Sequence, residues 1–256
     1  MIEPRRRYIV AATPRTGSSL LCEALKTTTV AGRPDEVFAP AFRDTWYGHL
    51  GIKGPVSFKD YLSVALRYGT TANGVYGLKI QWMHVATLAR EATFAGNSED
   101  VLEHLFPGAA FINIVRRDRR GQALSWYRAE ITNEWWRWAK DGNGSRSRPE
   151  PPFDAEAVHA IEIEIDRHQL AWERYFRKRR IKPLTIEYED LVQDYCGQVA
   201  RVLDFLDLEV WRAWLMPPAP LARQSDHLTV RWRQLMDQAH PSNRPKGEIT
   251  AQYYHY

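Results

Sequence analysis

The 256-residue chain predicts an α/β fold, a mainly parallel central sheet flanked by helices. Three observations carry this. Short apolar, β-prone runs alternate with stretches of helical periodicity, a rhythm that folds as strand–helix–strand units around a parallel sheet. Two of the runs, Tyr8–Ala12 and Ala110–Val115, pass directly into polar turns and then helix starts. With 44% hydrophobic and 26% charged residues, the chain can bury the core of one domain of generous size, taken as residues 1–256.

Element by element, Tyr8-Ile-Val-Ala-Ala12 reads as the first strand. The turn Thr13-Pro14-Arg15-Thr16-Gly17 follows, then a helix from Ser18 to about Thr27 whose Leu20, Leu21, Ala24 and Leu25 share a face. The Asn73-Gly74 turn signal opens the second strand, Val75–Ile80, and a helical stretch Val85–Thr93 comes after it. The third strand, Ala110–Val115, runs into Arg116-Arg117-Asp118 and a helix with Ala123, Leu124 and Tyr127 on one side. Ile161, Ile165, His168, Trp172 and Tyr175 recur at helical spacing and predict a long helix. Leu184–Tyr188 is the fourth strand; Asp190 and Gln193, at capping-box spacing, start a helix carrying Val199, Val202, Leu203 and Leu206. Gly32–Pro55 and Asp141–Pro152 break the rhythm, and mobile loops are expected at Ala39–Pro55 and Asp141–Pro152.

The formal net charge is only +4, but cations gather at Arg5-Arg6-Arg7, at Arg116-Arg117 with Arg119-Arg120, and at Arg177-Lys178-Arg179-Arg180. Such clusters attract an anionic small molecule or an anionic surface. The two cysteines, Cys22 and Cys196, make no disulfide framework and no CxxC signature, and the eight histidines show no tight metal spacing. A reducing cytoplasm is the expected compartment. The five-residue apolar run before Thr13 is too short for a signal-peptide core. No stretch nears the roughly 18 apolar residues of a membrane helix, so no integral membrane association is expected.

The first strand–turn–helix has the form of a phosphate cradle. Amides left free at a helix N-terminus and the positive end of its dipole favour an anion, and Thr16, Ser18 and Ser19 add hydroxyls. A nucleotide-triphosphatase loop ends Gly-Lys-Ser/Thr, with its Lys on the outer phosphates and its hydroxyl on magnesium; here Ser18 stands in place of that Lys. The loop therefore suits a phosphate-type anion handled without metal. Arg116-Arg117 with Ser125 two helical turns on suggests a second anion site, since a guanidinium fork and a hydroxyl suit a phosphate monoester. A solvated basic turn is the alternative at that point. At the level of the whole chain, a P-loop nucleotide kinase-like enzyme and a non-catalytic binder of anionic glycans or nucleic acid are the competing readings.

Six segments in register resemble the bacterial trehalose 2-sulfotransferase family. They are Pro14-Arg15-Thr16-Gly17-Ser18-Ser19-Leu20-Leu21, Gly32-Arg33-Pro34-Asp35-Glu36-Val37-Phe38, Gly77-Leu78-Lys79-Ile80-Gln81-Trp82, Arg116-Arg117-Asp118 with Gln122-Ala123-Leu124-Ser125 and Arg128-Ala129, Glu187-Tyr188-Glu189-Asp190-Leu191, and Arg223-Gln224-Ser225-Asp226. The resemblance implies a P-loop-like sulfotransferase fold and 3′-phosphoadenosine 5′-phosphosulfate (PAPS) as donor co-substrate, with no metal. It assigns Arg15, Thr16, Gly17, Ser18 and Ser19 to the 5′-phosphosulfate, and Arg116 with Ser125 to the 3′-phosphate. The doubled arginine leaves open whether Arg116 or Arg117 touches phosphate. Arg223 and Gln224 are further nucleotide contacts by the same resemblance, Glu36 is the general base, and a homodimer is implied.

Sulfuryl transfer needs donor positioning, charge stabilisation and removal of a proton from a hydroxyl, which suits a carboxylate base and no covalent step. Lys79 is read either as a cation for the bridging oxygen or acceptor site, or as an ordinary strand-end lysine. Trp82, Trp126, Trp135, Trp136 and Trp138 are candidates to line a sugar site, with core packing the better reading of any single one. The family approaches its acceptor near Thr132 and Trp136. The expected partner is a small-molecule or glycan hydroxyl acceptor rather than nucleic acid. Tyr188 and Asp190 are read as structural, by packing and helix capping.

Overall fold

The computed structural model describes residues 4–135, 151–209 and 227–240. Four strands, β1 (Arg6–Ala12), β2 (Val75–Gln81), β3 (Ala110–Val115) and β4 (Leu184–Glu187), form one sheet in the order β2-β1-β3-β4 with every pairing parallel. Central β1 is fixed in register on both sides, Ile9 lying opposite Leu78 of β2 and Phe111 of β3. The helices are α1 (Ser18–Thr27), α2 (Arg43–His49), α3 (Phe58–Gly69), α4 (Trp82–Glu91) and α5 (Val101–Leu105). They continue as α6 (Arg119–Thr132), α7 (Ala155–Lys178), α8 (Tyr188–Gln193), α9 (Tyr195–Phe205) and α10 (His227–Ala239).

Strand alternation sorts the core into two layers. Ile9, Ala11, Tyr76, Leu78, Ile80 and Phe111 face Tyr61 of α3, Val85 and Leu88 of α4, Val101 of α5, and Trp172 and Tyr175 of α7. Tyr8, Val10, Ala12, Ile112, Ile114 and Ile186 face Leu21 and Leu25 of α1 and Val199, Val202 and Leu203 of α9. A third cluster joins α6, α7 and α10 through Trp126, Tyr127, Ile165, Trp232 and Met236. Fully burying one such large apolar side chain stabilises the fold by about 1.5–3 kcal/mol. Among the described residues, no helix is long and apolar enough to cross a membrane.

The predicted bounds of the first helix and the third strand match α1 and β3. The single helix predicted from Asp190 is instead two. Asp190 lies inside α8, where its Oδ1 accepts a hydrogen bond from Arg117 Nη2 at 3.0 Å. The chain breaks at Asp194, whose side chain caps α9 by accepting from the Gly197 N–H at 3.0 Å. Within the expected loop Ala39–Pro55, a short 3-10 turn (Pro40–Phe42) leads into α2, whose Trp46 and Tyr47 pack on the first core layer. Helix α3 was not anticipated; it starts at the capping residue Ser57, which accepts from the Asp60 N–H at 3.1 Å. Residues 141–150 of the other expected loop lie outside the described residues, as do Trp136, Trp138, Arg223 and Gln224.

The connections leave β1 and β3 in opposite lateral directions, to β2 and to β4 respectively. The crevice above the carboxyl ends of β1 and β3 is thus the switch point where an open parallel sheet accepts ligands.

Candidate active site

The turn after β1 is shaped by two left-handed residues, Arg15 (φ +65°) and Gly17 (φ +80°). At Gly17 a side chain is excluded twice over, since a Cβ would also fall 2.4 Å from Tyr188 Cδ2. Gly17 offers no side chain to cap α1, and no acidic residue sits in the first turn. The opening amides of α1 therefore have no capping carboxylate beside them, and Gly17, Ser18, Ser19 and Leu20 border a cavity of about 930 Å³. Thr16 is turned inward: it is fully buried and its Oγ1 donates to the Thr13 carbonyl at 3.0 Å, stitching the loop. Two further groups pin the turn. Gln122 of α6, fully buried, donates from Nε2 to Thr13 Oγ1 at 2.9 Å and to the Pro14 carbonyl at 2.7 Å. From α7, Trp172 Nε1 donates to the Ala12 carbonyl at 3.0 Å.

The second predicted site lies against the first. Arg15 Nε donates to Ser125 Oγ at 2.9 Å and Arg15 Nη1 to the Trp135 carbonyl. Arg116 reaches the Arg15 carbonyl at 3.5 Å, lies over the Tyr188 ring at 4.7 Å, and has its Nε buried without a hydrogen-bond partner. Burial first, then the neighbouring Arg116 and Arg128 charges, pull the Arg15 guanidinium down to about 10. Three cations crowded on one wall are an electrostatic arrangement that an anion relieves. Arg117 is not on that wall. It pairs with Glu187, with Asp190 at 3.0 Å and with Glu189 at 3.9 Å, on the outer side of the turn. Of the doubled arginine, Arg116 is the one that faces the cavity.

Glu36 is delivered by a backbone splice. The segment before it pairs with β2 at Asp35 and Leu78, and the Lys79 N–H donates to the Asp35 carbonyl at 3.2 Å. Gly32 permits the approach: its φ is +69°, and a Cβ there would fall 2.6 Å from the Gly77 nitrogen. On β2, Lys79 points to the side opposite Leu78 and Ile80, toward α1. Its Nζ lies 2.8 Å from Glu36 Oε2 and 3.2 Å from Ser19 Oγ. Burial on its own raises the Glu36 carboxyl, but the Lys79 charge and hydrogen bond, with His84 close to the other oxygen, outweigh it and hold the group at about 2. Burial pushes Lys79 down, and the Glu36 charge more than reverses this, leaving it above its usual range.

One cavity thus collects Arg15, Gly17, Ser18, Ser19, Glu36, Lys79, Arg116 and Ser125 of the predicted residues, with Thr16 behind the loop and Arg117 outside it. Trp126 and Trp135 line its wall, whereas Trp82 stacks edge-on against Trp172 in the core. His84 and Tyr188 were missed as cavity residues. The only hint in the sequence was their place, each within three residues of a strand's carboxyl end.

The opening amides of α1, a guanidinium–hydroxyl wall and a carboxylate–ammonium pair thus share one crevice. The chain belongs to the Stf0 sulphotransferase family, whose sequence model it matches over residues 7–237. It is 30% identical to a trehalose 2-sulfotransferase of Mycobacterium tuberculosis, over 89% of this chain and 92% of that protein. A second trehalose 2-sulfotransferase, of Mycolicibacterium smegmatis, is 27% identical over 88% of this chain and 92% of its own. The sulfotransferase domain of the Synechococcus PCC 7002 olefin synthase aligns over 90% of this chain and 88% of that one, at 17% identity and a TM-score of 0.47.

Proposed function

We propose that this sulfotransferase moves a sulfuryl group from PAPS to a carbohydrate hydroxyl, with Glu36 as general base and without metal. The observation that carries the reading is the joining of both anion walls and the Glu36–Lys79 pair in one cavity. The residues suit the donor: free α1 amides with Ser18 and Ser19 for the 5′-phosphosulfate, and Arg116, whose buried Nε lacks a partner, with Ser125 for the 3′-phosphate. Arg223 and Gln224 remain candidate nucleotide contacts by resemblance alone. The names of the two relatives favour a saccharide such as trehalose as acceptor.

In this scheme the acceptor hydroxyl gives its proton to the Glu36 carboxylate while its oxygen bonds to sulfur and the sulfur–oxygen bond to phosphate breaks. A carboxyl held at about 2 is a feeble base. Lys79, placed between Glu36 and Ser19, resolves this: as it turns to the donor's charge, Glu36 is released from its cation and becomes basic where the reaction needs it. A homodimer in a reducing cytoplasm belongs to the same reading, and sedimentation velocity tests the first part.

The spent donor, adenosine 3′,5′-bisphosphate, tests the site. At one hundred times its Kd it should add about 2.7 kcal/mol and raise Tm by about 5–10 °C without magnesium. No shift counts against the reading, and magnesium-dependent stabilisation by ATP would favour the kinase-like one. Glu36→Gln should lower kcat by about 10²–10⁴ while leaving that affinity intact.

A further inference from the structure

The two oxygens of Glu36 have different partners. Oε2 is held by Lys79 at 2.8 Å, and Oε1 faces His84 Nδ1 at 3.4 Å, the outer limit of a hydrogen bond. His84 stands in the first turn of α4, directly after β2, and lines the cavity. Its Nδ1 is buried and makes no closed hydrogen bond, so the contact to Oε1 is one that a small movement completes. Catalytic hydrogen bonds are often long before substrate binds and tighten afterwards.

Lys79 cannot fully serve Glu36 and a donor at Ser19 at once. When it turns to the donor, a buried carboxylate is left needing a partner that orients it at little cost to its basicity. A neutral imidazole N–H lowers that basicity less than a second ammonium would. We propose that His84 is the positioning residue for Glu36, holding Oε1 through a neutral Nδ1–H while Oε2 is presented to the acceptor hydroxyl. The inference rests on the role of Glu36 proposed above.

Several charged groups packed around α4 have partners of their own. Lys79 of β2 is on Glu36, and His168 of α7 holds Glu164 at 2.8 Å. Burial and, less strongly, the Arg167 charge keep that second histidine below its usual range. Glu99 and Glu103 lie 3.7 and 2.9 Å from Arg179, which also binds Asp100, and Glu91 takes Arg43 at 2.5 Å.

The test compares His84→Ala and His84→Asn with PAPS as donor and trehalose as acceptor. An asparagine amide nitrogen can occupy the Nδ1 position and donate, but it does not titrate. His84→Ala should lower kcat at least about tenfold, the low end for a lost hydrogen bond to a charged group. His84→Asn should stay within about threefold of wild type at neutral pH, a rescue by the Nδ1-position donor alone that a merely structural histidine would not show. Neither should change the Kd of adenosine 3′,5′-bisphosphate more than about twofold. Full kcat in His84→Ala, or kcat in His84→Asn as low as in His84→Ala, overturns the assignment. Independently of turnover, long-range ¹⁵N–¹H NMR should show the neutral ring protonated at Nδ1, and the Nε2–H tautomer overturns it too. Wild type that transfers no sulfuryl group, or Glu36→Gln that turns over normally, strikes the proposed function instead.

Discussion

Glu36→Gln should change how stability depends on pH as well as turnover. In the folded chain the Glu36 carboxyl is depressed from 4.5 to about 2. A depressed acid contributes stability that is fully present above its unfolded value and is lost as pH falls through the folded one, so the window runs from 4.5 down to about 2. At neutral pH this gap is worth about 3 kcal/mol. About 1 kcal/mol of it is lost by pH 4 and about 2 kcal/mol by pH 3. Lys79, raised by the same pair, stays protonated throughout this range and adds no slope. Urea unfolding of wild type and Glu36→Gln at pH 7, 4 and 3 measures the difference, which should shrink toward acid by these amounts. Parallel stability–pH curves would show that Lys79 does not hold the carboxylate as described, and the account of how Glu36 is released would fall with it.

Arg116→Ala should weaken adenosine 3′,5′-bisphosphate by about ten- to a hundredfold in calorimetry, the loss of about 1.5–3 kcal/mol from a charged hydrogen bond. Arg117→Ala, engaged by carboxylates outside the cavity, should change it less than about twofold; equal effects refute the division. Gly17→Ala must adopt φ +80° and meet the Tyr188 ring at 2.4 Å, costing about 1–3 kcal/mol. A cycle with Tyr188→Ala should show coupling above about 0.5 kcal/mol, and an additive cycle denies the contact. Trp172→Phe keeps the ring packing but strands the Ala12 carbonyl, lowering stability by about 1–3 kcal/mol in urea unfolding; an unchanged midpoint shows the bond is dispensable.

The elements most legible in the sequence were those whose local signal is strong. Ala110–Val115 is apolar and bounded by Gly108 and Arg116, and it formed β3 with the predicted limits. Ser18 likewise began α1. The density of Gly and Pro between Gly32 and Pro55 hid α2, because a short helix whose aromatics are only half buried leaves a weak periodicity. Ser57 and Asp60 carry a local capping signal for α3, which the neighbouring Gly and Pro residues obscure. Asp190 and Asp194 carry similar local capping signals, but Asp190 lies inside α8, where it accepts from Arg117, and Asp194 caps α9. In the site, the loop after β1 and Glu36 could be read from motifs. His84 could not, since its nearness to Glu36 arises only when Asp35 pairs with β2 and β2 turns into α4. The outward turn of Arg117 depends in the same way on the acidic end of β4.

The buried carboxamide of Gln122 ties the fate of both anion walls to one atom. Its nitrogen donates both hydrogens to the turn after β1, while three residues further along α6 Ser125 meets Arg15. A glutamate of identical shape at 122 would set a carboxylate oxygen against the Pro14 carbonyl, two acceptors with no proton between them. The turn after β1 and α6 are therefore not separate modules that drift independently; polarity at a single position obliges them to keep one mutual alignment.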